Sequence, residues 1–143
     1  MDRFEKFERK IIEGIFSTTE KDPSYIRYEN SQFSKSELVA KIKQQYENSA
    51  IVNRQFTGAG FYTYFQVNDK SLLLGDDVNF GLGGIHAKIK GLERGAGFTL
   101  EIENGALNNL EGYTYAEGTW PKKITDYQLY LVNKDGTTTK IID

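Results

Sequence analysis

The sequence predicts an α+β fold, with two N-terminal helices packed on a mostly antiparallel sheet of about seven strands. Three observations predict it. Apolar residues recur at helical spacing only in the first third of the chain. From Phe61 onward the period is two, with turn signals between short runs. Helices grouped ahead of a strand meander specify a segregated arrangement rather than alternating β and α units.

Taken in order, Phe4, Phe7, Ile11, Ile12, Ile15 and Phe16 follow helical spacing with charges between them, and predict an amphipathic helix over 2–16. Gly14 weakens its last turn by about 1 kcal/mol relative to Ala. Residues 17–33 read as a loop, because Thr18, Thr19, Asp22-Pro23-Ser24 and Asn30-Ser31 are turn formers and Pro23 biases Asp22 away from helix. Ser34-Lys35-Ser36-Glu37 is a capping box that opens a second helix. Leu38, Val39, Ile42 and Tyr46 form its apolar stripe, and Asn48-Ser49 ends it.

The strands follow. Phe61, Thr63, Phe65 and Val67 face one way, with Tyr62, Tyr64 and Gln66 opposite. Ile85, Ala87 and Ile89 alternate with His86, Lys88 and Lys90, and Phe98, Leu100 and Ile102 alternate with Thr99, Glu101 and Glu103. Asn104-Gly105 is the strongest short hairpin signal, a two-residue type I′ turn into Ala106-Leu107. Tyr127, Leu129 and Leu131 mark another strand, and Lys134-Asp135-Gly136 turns the chain into a last one ending at Ile141-Ile142. Gly75 to Gly84 reads as the most irregular loop, and 91–97 as the connection between two strands.

At 143 residues, the chain reads as one α+β domain over 1–143, large enough to bury a core without covalent staples. It has no cysteine, so disulfides and thiolate metal sites are excluded, which fits a cytoplasmic location. The charged start, Met1-Asp2-Arg3-Phe4-Glu5-Lys6, has no apolar stretch of a signal peptide. No apolar run approaches the roughly 20 residues of a membrane helix, so no membrane partner is expected. With 18 Lys+Arg against 20 Asp+Glu, the net charge of −2 argues against nucleic acid as partner, which needs a concentrated basic face.

His86 is the only histidine, so multi-histidine metal sites are excluded, and no cofactor or metal is expected. If 91–97 is a loop, Lys88 lies opposite Glu101 and His86 opposite Glu103, as cross-strand ion pairs on a solvated face that raise the His86 pKa. The same three groups, His86, Glu101 and Glu103, are the acid/base candidates of an alternative reading as a small enzyme or small-ligand binder. None of the glycine clusters matches a phosphate-loop pattern, and each precedes a strand, so they read as turns and bulges. Asp76-Asp77 lies outside any EF-hand pattern. Between Gly95 and Pro121 there are four glutamates and no Lys or Arg, with Tyr113, Tyr115 and Trp120 interleaved. Tyrosines among acids make a recognition surface for a basic protein, though aromatics in strands also serve as core. The expected partner contacts are Asp76, Asp77, Glu111, Tyr113, Tyr115 and Glu117, with no catalytic residue assigned.

The stretches Phe56 to Thr63, Gly91 to Phe98 and on to Asn104-Gly105, then Leu110 to Tyr115 and Trp120-Pro121, give the chain a resemblance to a group of small uncharacterised bacterial proteins. In size and style it resembles immunity partners of contact-dependent and polymorphic toxins. The resemblance spans the central half of the chain and implies a bacterial cytosolic protein of no known enzymatic activity. An immunity partner covers the active site of a cognate toxin, a nuclease being the case that an acidic face suits.

Overall fold

A computed structural model describes residues 2–141, among which two α-helices and seven strands follow one another. Helix α1 spans Arg3–Lys21, and the Asp2 carboxylate caps it by accepting the Glu5 N–H at 2.8 Å. Helix α2 spans Lys35–Glu47 and opens on the expected capping box, in which Ser34 and Glu37 satisfy each other's backbone N–H groups. The strands are β1 (Ser49–Phe56), β2 (Gly60–Val67), β3 (Phe80–Ile89), β4 (Leu92–Glu103), β5 (Ala106–Thr114), β6 (Tyr127–Val132) and β7 (Thr138–Lys140). They form one sheet in the order β1-β2-β5-β4-β3-β6-β7, every pair antiparallel.

Both helices lie on one face. Phe7, Ile11, Ile12 and Ile15 of α1 and Leu38, Val39 and Ile42 of α2 are buried against Phe61, Ile85, Ala87, Phe98, Leu100 and Leu110 from the sheet. Gly14 sits mid-helix rather than in a last turn. A Cβ there would stand 3.2 Å from Ile85 Cδ1, so the missing side chain brings α1 close to β3. Two buried polar groups tie the layers. Gln45 of α2 donates to the carbonyls of Leu72 (2.9 Å) and Gly105 (3.0 Å), and its oxygen accepts the Leu107 N–H (2.8 Å). Glu8 of α1, 2% exposed, is held in a fork by Arg54 of β1 at 2.6 and 3.1 Å and accepts the Thr63 hydroxyl of β2.

The structure corrects four expectations. Helix α1 continues through Lys21 rather than ending at Phe16, because Thr18 and Thr19 face the core and the Thr19 hydroxyl bonds back to the Ile15 carbonyl at 2.8 Å. Residues 81–84 belong to β3, where a register irregularity between Leu82 and Ile85 absorbs the glycines. Residues 92–97 belong to β4, so the β3–β4 turn is at Lys90-Gly91. The fourth correction follows from the third. His86 pairs with Gly97, and Glu101 pairs with Gly81, so the His86–Glu103 and Lys88–Glu101 ion pairs do not form. Strand β1 lies in a segment whose exposed pattern gave no strand signal. The Asn104-Gly105 hairpin is as expected, with φ of +52° and +80°. The last strand ends at Lys140, and Ile142 lies outside the described residues.

Candidate functional site

Because both helices cover one face, the other face of the sheet is overlaid by no helix of the described residues. Strand alternation decides what it displays. Phe61, Thr63, Phe65, Ile85, Ala87, Phe98, Leu100 and Leu110 point inward, so their neighbours point outward. The register arranges those outward residues in rows across the strands. One row is Gly60, Tyr113, Gly97, His86 and Tyr130. The next is Tyr62, Glu111 and Thr99. The third is Tyr64, Asn109, Glu101 and Gly81.

The first row is an aromatic layer lying on a glycine strip. A Cβ on Gly97 would stand 2.5 Å from the Tyr115 hydroxyl and 2.8 Å from that of Tyr113, so the two rings cross β4 only because residue 97 has no side chain. His86 stacks on Tyr115 with ring centroids 5.2 Å apart and planes 8° apart. Tyr113 meets Tyr115 edge-on at 5.8 Å. Lys88 lies 5.1 Å over the Tyr130 ring. Burial beneath these rings, followed by the nearby Lys88 charge, pushes the His86 pKa down, against the rise expected from an ion pair. Tyr115 is 47% exposed, and Tyr113 is half-buried. Both are therefore surface residues, whereas Trp120 is core, packed at 5.4 Å on Phe61. A cleft of about 770 Å³ opens beside the tyrosine pair, lined by Tyr25, Gly84, Thr99 and Lys134 among others.

The other two rows carry charge. Tyr62 donates its hydroxyl to Glu111 at 3.0 Å and stacks on Tyr64 at 6.0 Å. That hydrogen bond, with the Glu111 charge, pushes the Tyr62 pKa up. Glu101 is held above the usual carboxylate range by burial first, then by Glu111 and Glu103. Among the described residues, no ion pair involves Glu101, Glu103 or Glu111. Asn109 is buried between Tyr64 and Glu101 in the register, and its side-chain oxygen has no hydrogen-bond partner among the described residues.

No family model matches the chain, and no curated protein or solved structure matches it.

Of the expected partner contacts, the fold brings Glu111, Tyr113 and Tyr115 together. Glu117 is exposed on the loop that follows Tyr115. Asp76 and Asp77 are exposed in the loop that grips the Asn104-Gly105 hairpin, where the Leu74 N–H donates to the Gly105 carbonyl at 2.9 Å. That hairpin is eight residues along β5 from Tyr113, or about 26 Å at roughly 3.3 Å per residue, so the two aspartates stand apart from the tyrosines. His86 is likewise separated from the carboxylates. Its partner Gly97 lies four residues along β4 from Glu101, about 13 Å. Tyr62, Tyr64, Tyr130 and Asn109 complete the face and were not among the expected contacts. The period-two alternation of Tyr62 and Tyr64 with Phe61 and Phe65 is the signal that places them outward.

Proposed function

We propose that this chain is a binding protein of the immunity type, which holds a basic protein partner on its open tyrosine–carboxylate face and so covers the partner's active site. The observation that carries the reading is the set of three carboxylates, Glu101, Glu103 and Glu111, without a cationic partner among the described residues, with Tyr62 beside Glu111 and Tyr64 in the row of Glu101. Lysines or arginines of a partner would supply the missing charge, and the upward shift of Glu101 would reverse on binding. A nuclease toxin fits because its cleft is basic toward a polyanionic substrate. Opposite charge speeds such an encounter, and half-exposed tyrosines are the residue type that anchors interfaces.

The test is capture from the source organism with the tagged chain, beside the Glu101→Lys/Glu111→Lys variant. The wild type is expected to retain one basic protein and to inhibit its activity, while the variant loses it with an unchanged melting temperature. Equal retention by the variant overturns the assignment of the face. A retained partner whose activity is undiminished overturns the inhibitory role.

A further inference from the structure

The helix layer stops short of β1. Ile51 and Phe56 point toward the helix side, in register with the inward-facing Phe65 and Phe61, yet they are 41% and 61% exposed. Val52, at a register irregularity, adds a third apolar side chain that is 55% exposed. Strand β1 is also the outer strand of the sheet, so one side of its backbone has no neighbouring strand among the described residues. Exposed sheet edges are usually blunted by lysine, proline or a bulge. Here Ser49–Phe56 contains no lysine and no proline, and its only charge, Arg54, is turned inward onto Glu8. The bulge at Val52 interrupts the edge once and leaves edge backbone on both sides.

Beside this edge runs a groove of about 680 Å³ between α1, the end of α2 and the first two strands. Ile12, Tyr46, Ile51 and Phe65 supply its apolar lining. Four carboxylates, Glu5, Glu8, Glu13 and Glu47, line it too, against Arg9, which also hydrogen-bonds Tyr46, and Arg54, which pairs with Glu8 at 2.6 Å and reaches Glu5 at 3.7 Å, so acidic groups are in excess.

We propose that β1 and this groove form a second interaction surface, which takes an extended segment of a partner protein as an eighth strand. The segment is basic and alternates with apolar residues. An extended occupant follows from the free edge backbone of β1, which another strand can pair, and from the exposed Ile51, Val52 and Phe56, which lie along that strand. The charge of the groove selects a basic segment. It also disfavours a second copy of this chain, because a two-fold pairing of β1 with itself would set the glutamates of one copy near those of the other. This surface is separate from the open face and does not depend on its function.

The probe is the peptide Lys-Val-Lys-Val-Lys-Val-Lys-Val, with Glu-Val-Glu-Val-Glu-Val-Glu-Val as control, added to the whole chain. The basic peptide is expected to bind saturably and to slow hydrogen exchange of the outward backbone amides of β1. Glu13→Lys/Glu47→Lys should weaken binding at least tenfold, and the exposed positions leave folding intact. Ile51→Lys should weaken it as well. Binding without protection of β1 amides, equal binding of the acidic peptide, or dimerisation of the free chain through β1 would each overturn the proposal. So would an absence of binding at millimolar peptide.

Discussion

Replacing Arg54 with Met isolates the buried charge that joins helix to sheet. Glu8 is 2% exposed and depends on Arg54 for two hydrogen bonds and on Thr63 for one. Removing Arg54 leaves an anion with a single hydroxyl donor. Breaking one side of a buried pair costs about 3–5 kcal/mol. Arg54 keeps about a quarter of its side chain exposed, so water can reach the vacated position, and the loss belongs near the lower end, about 3 kcal/mol. At this chain length each kcal/mol is worth roughly 3–4 °C, giving a melting temperature about 10 °C lower. The double variant Glu8→Leu/Arg54→Met removes both charges and should recover most of the loss, since apolar replacement of a whole buried pair is often neutral. Urea unfolding with an unchanged m-value reads both. A loss below about 0.5 kcal/mol for Arg54→Met would mean that the pair behaves as a solvated surface bridge, and would refute the reasoning.

Three further outcomes follow from single residues. Gly105 has φ +80° and its Cβ position collides with the Leu74 carbonyl, so Gly105→Val should cost more than the roughly 1–2 kcal/mol of a left-handed L-residue. Asn104→Gly should leave thermal stability within about 0.5 kcal/mol, since the Asn104 side chain is exposed and its backbone bond to Asn79 remains. The depressed His86 pKa means that the unfolded chain binds the proton more tightly. Its contribution to stability is therefore present above the ordinary histidine value of about 6.5 and is lost as pH falls through the folded pKa. Proton NMR of this single imidazole should give a midpoint below that of the unfolded chain, and His86→Gln should flatten the acid limb of the stability curve. A midpoint above the unfolded value would contradict the stacked, partly buried placement.

What the sequence determined was set by local chemistry. Helix spacing in Phe7, Ile11, Ile12 and Ile15, the capping box at Ser34 and Glu37, alternation at Phe61 and Phe98, and the backbone demands of Asn104-Gly105 each act within a few residues, and each appears as read. Tertiary structure decided what depends on partners far along the chain. Thr18 and Thr19 are helical because the sheet buries them. Strand β1 forms on mostly exposed residues with no regular alternation because β2 pairs with it and Glu8 fixes Arg54. The candidate site depended most on such partners. Strand register, with a turn at Gly91 and glycines inside β4, moved His86 from a carboxylate to a tyrosine stack and separated Asp76 and Asp77 from Tyr113. Register is a property of two strands at once, and a shift of one turn changes every cross-strand neighbour, so no reading of either strand alone could have supplied it.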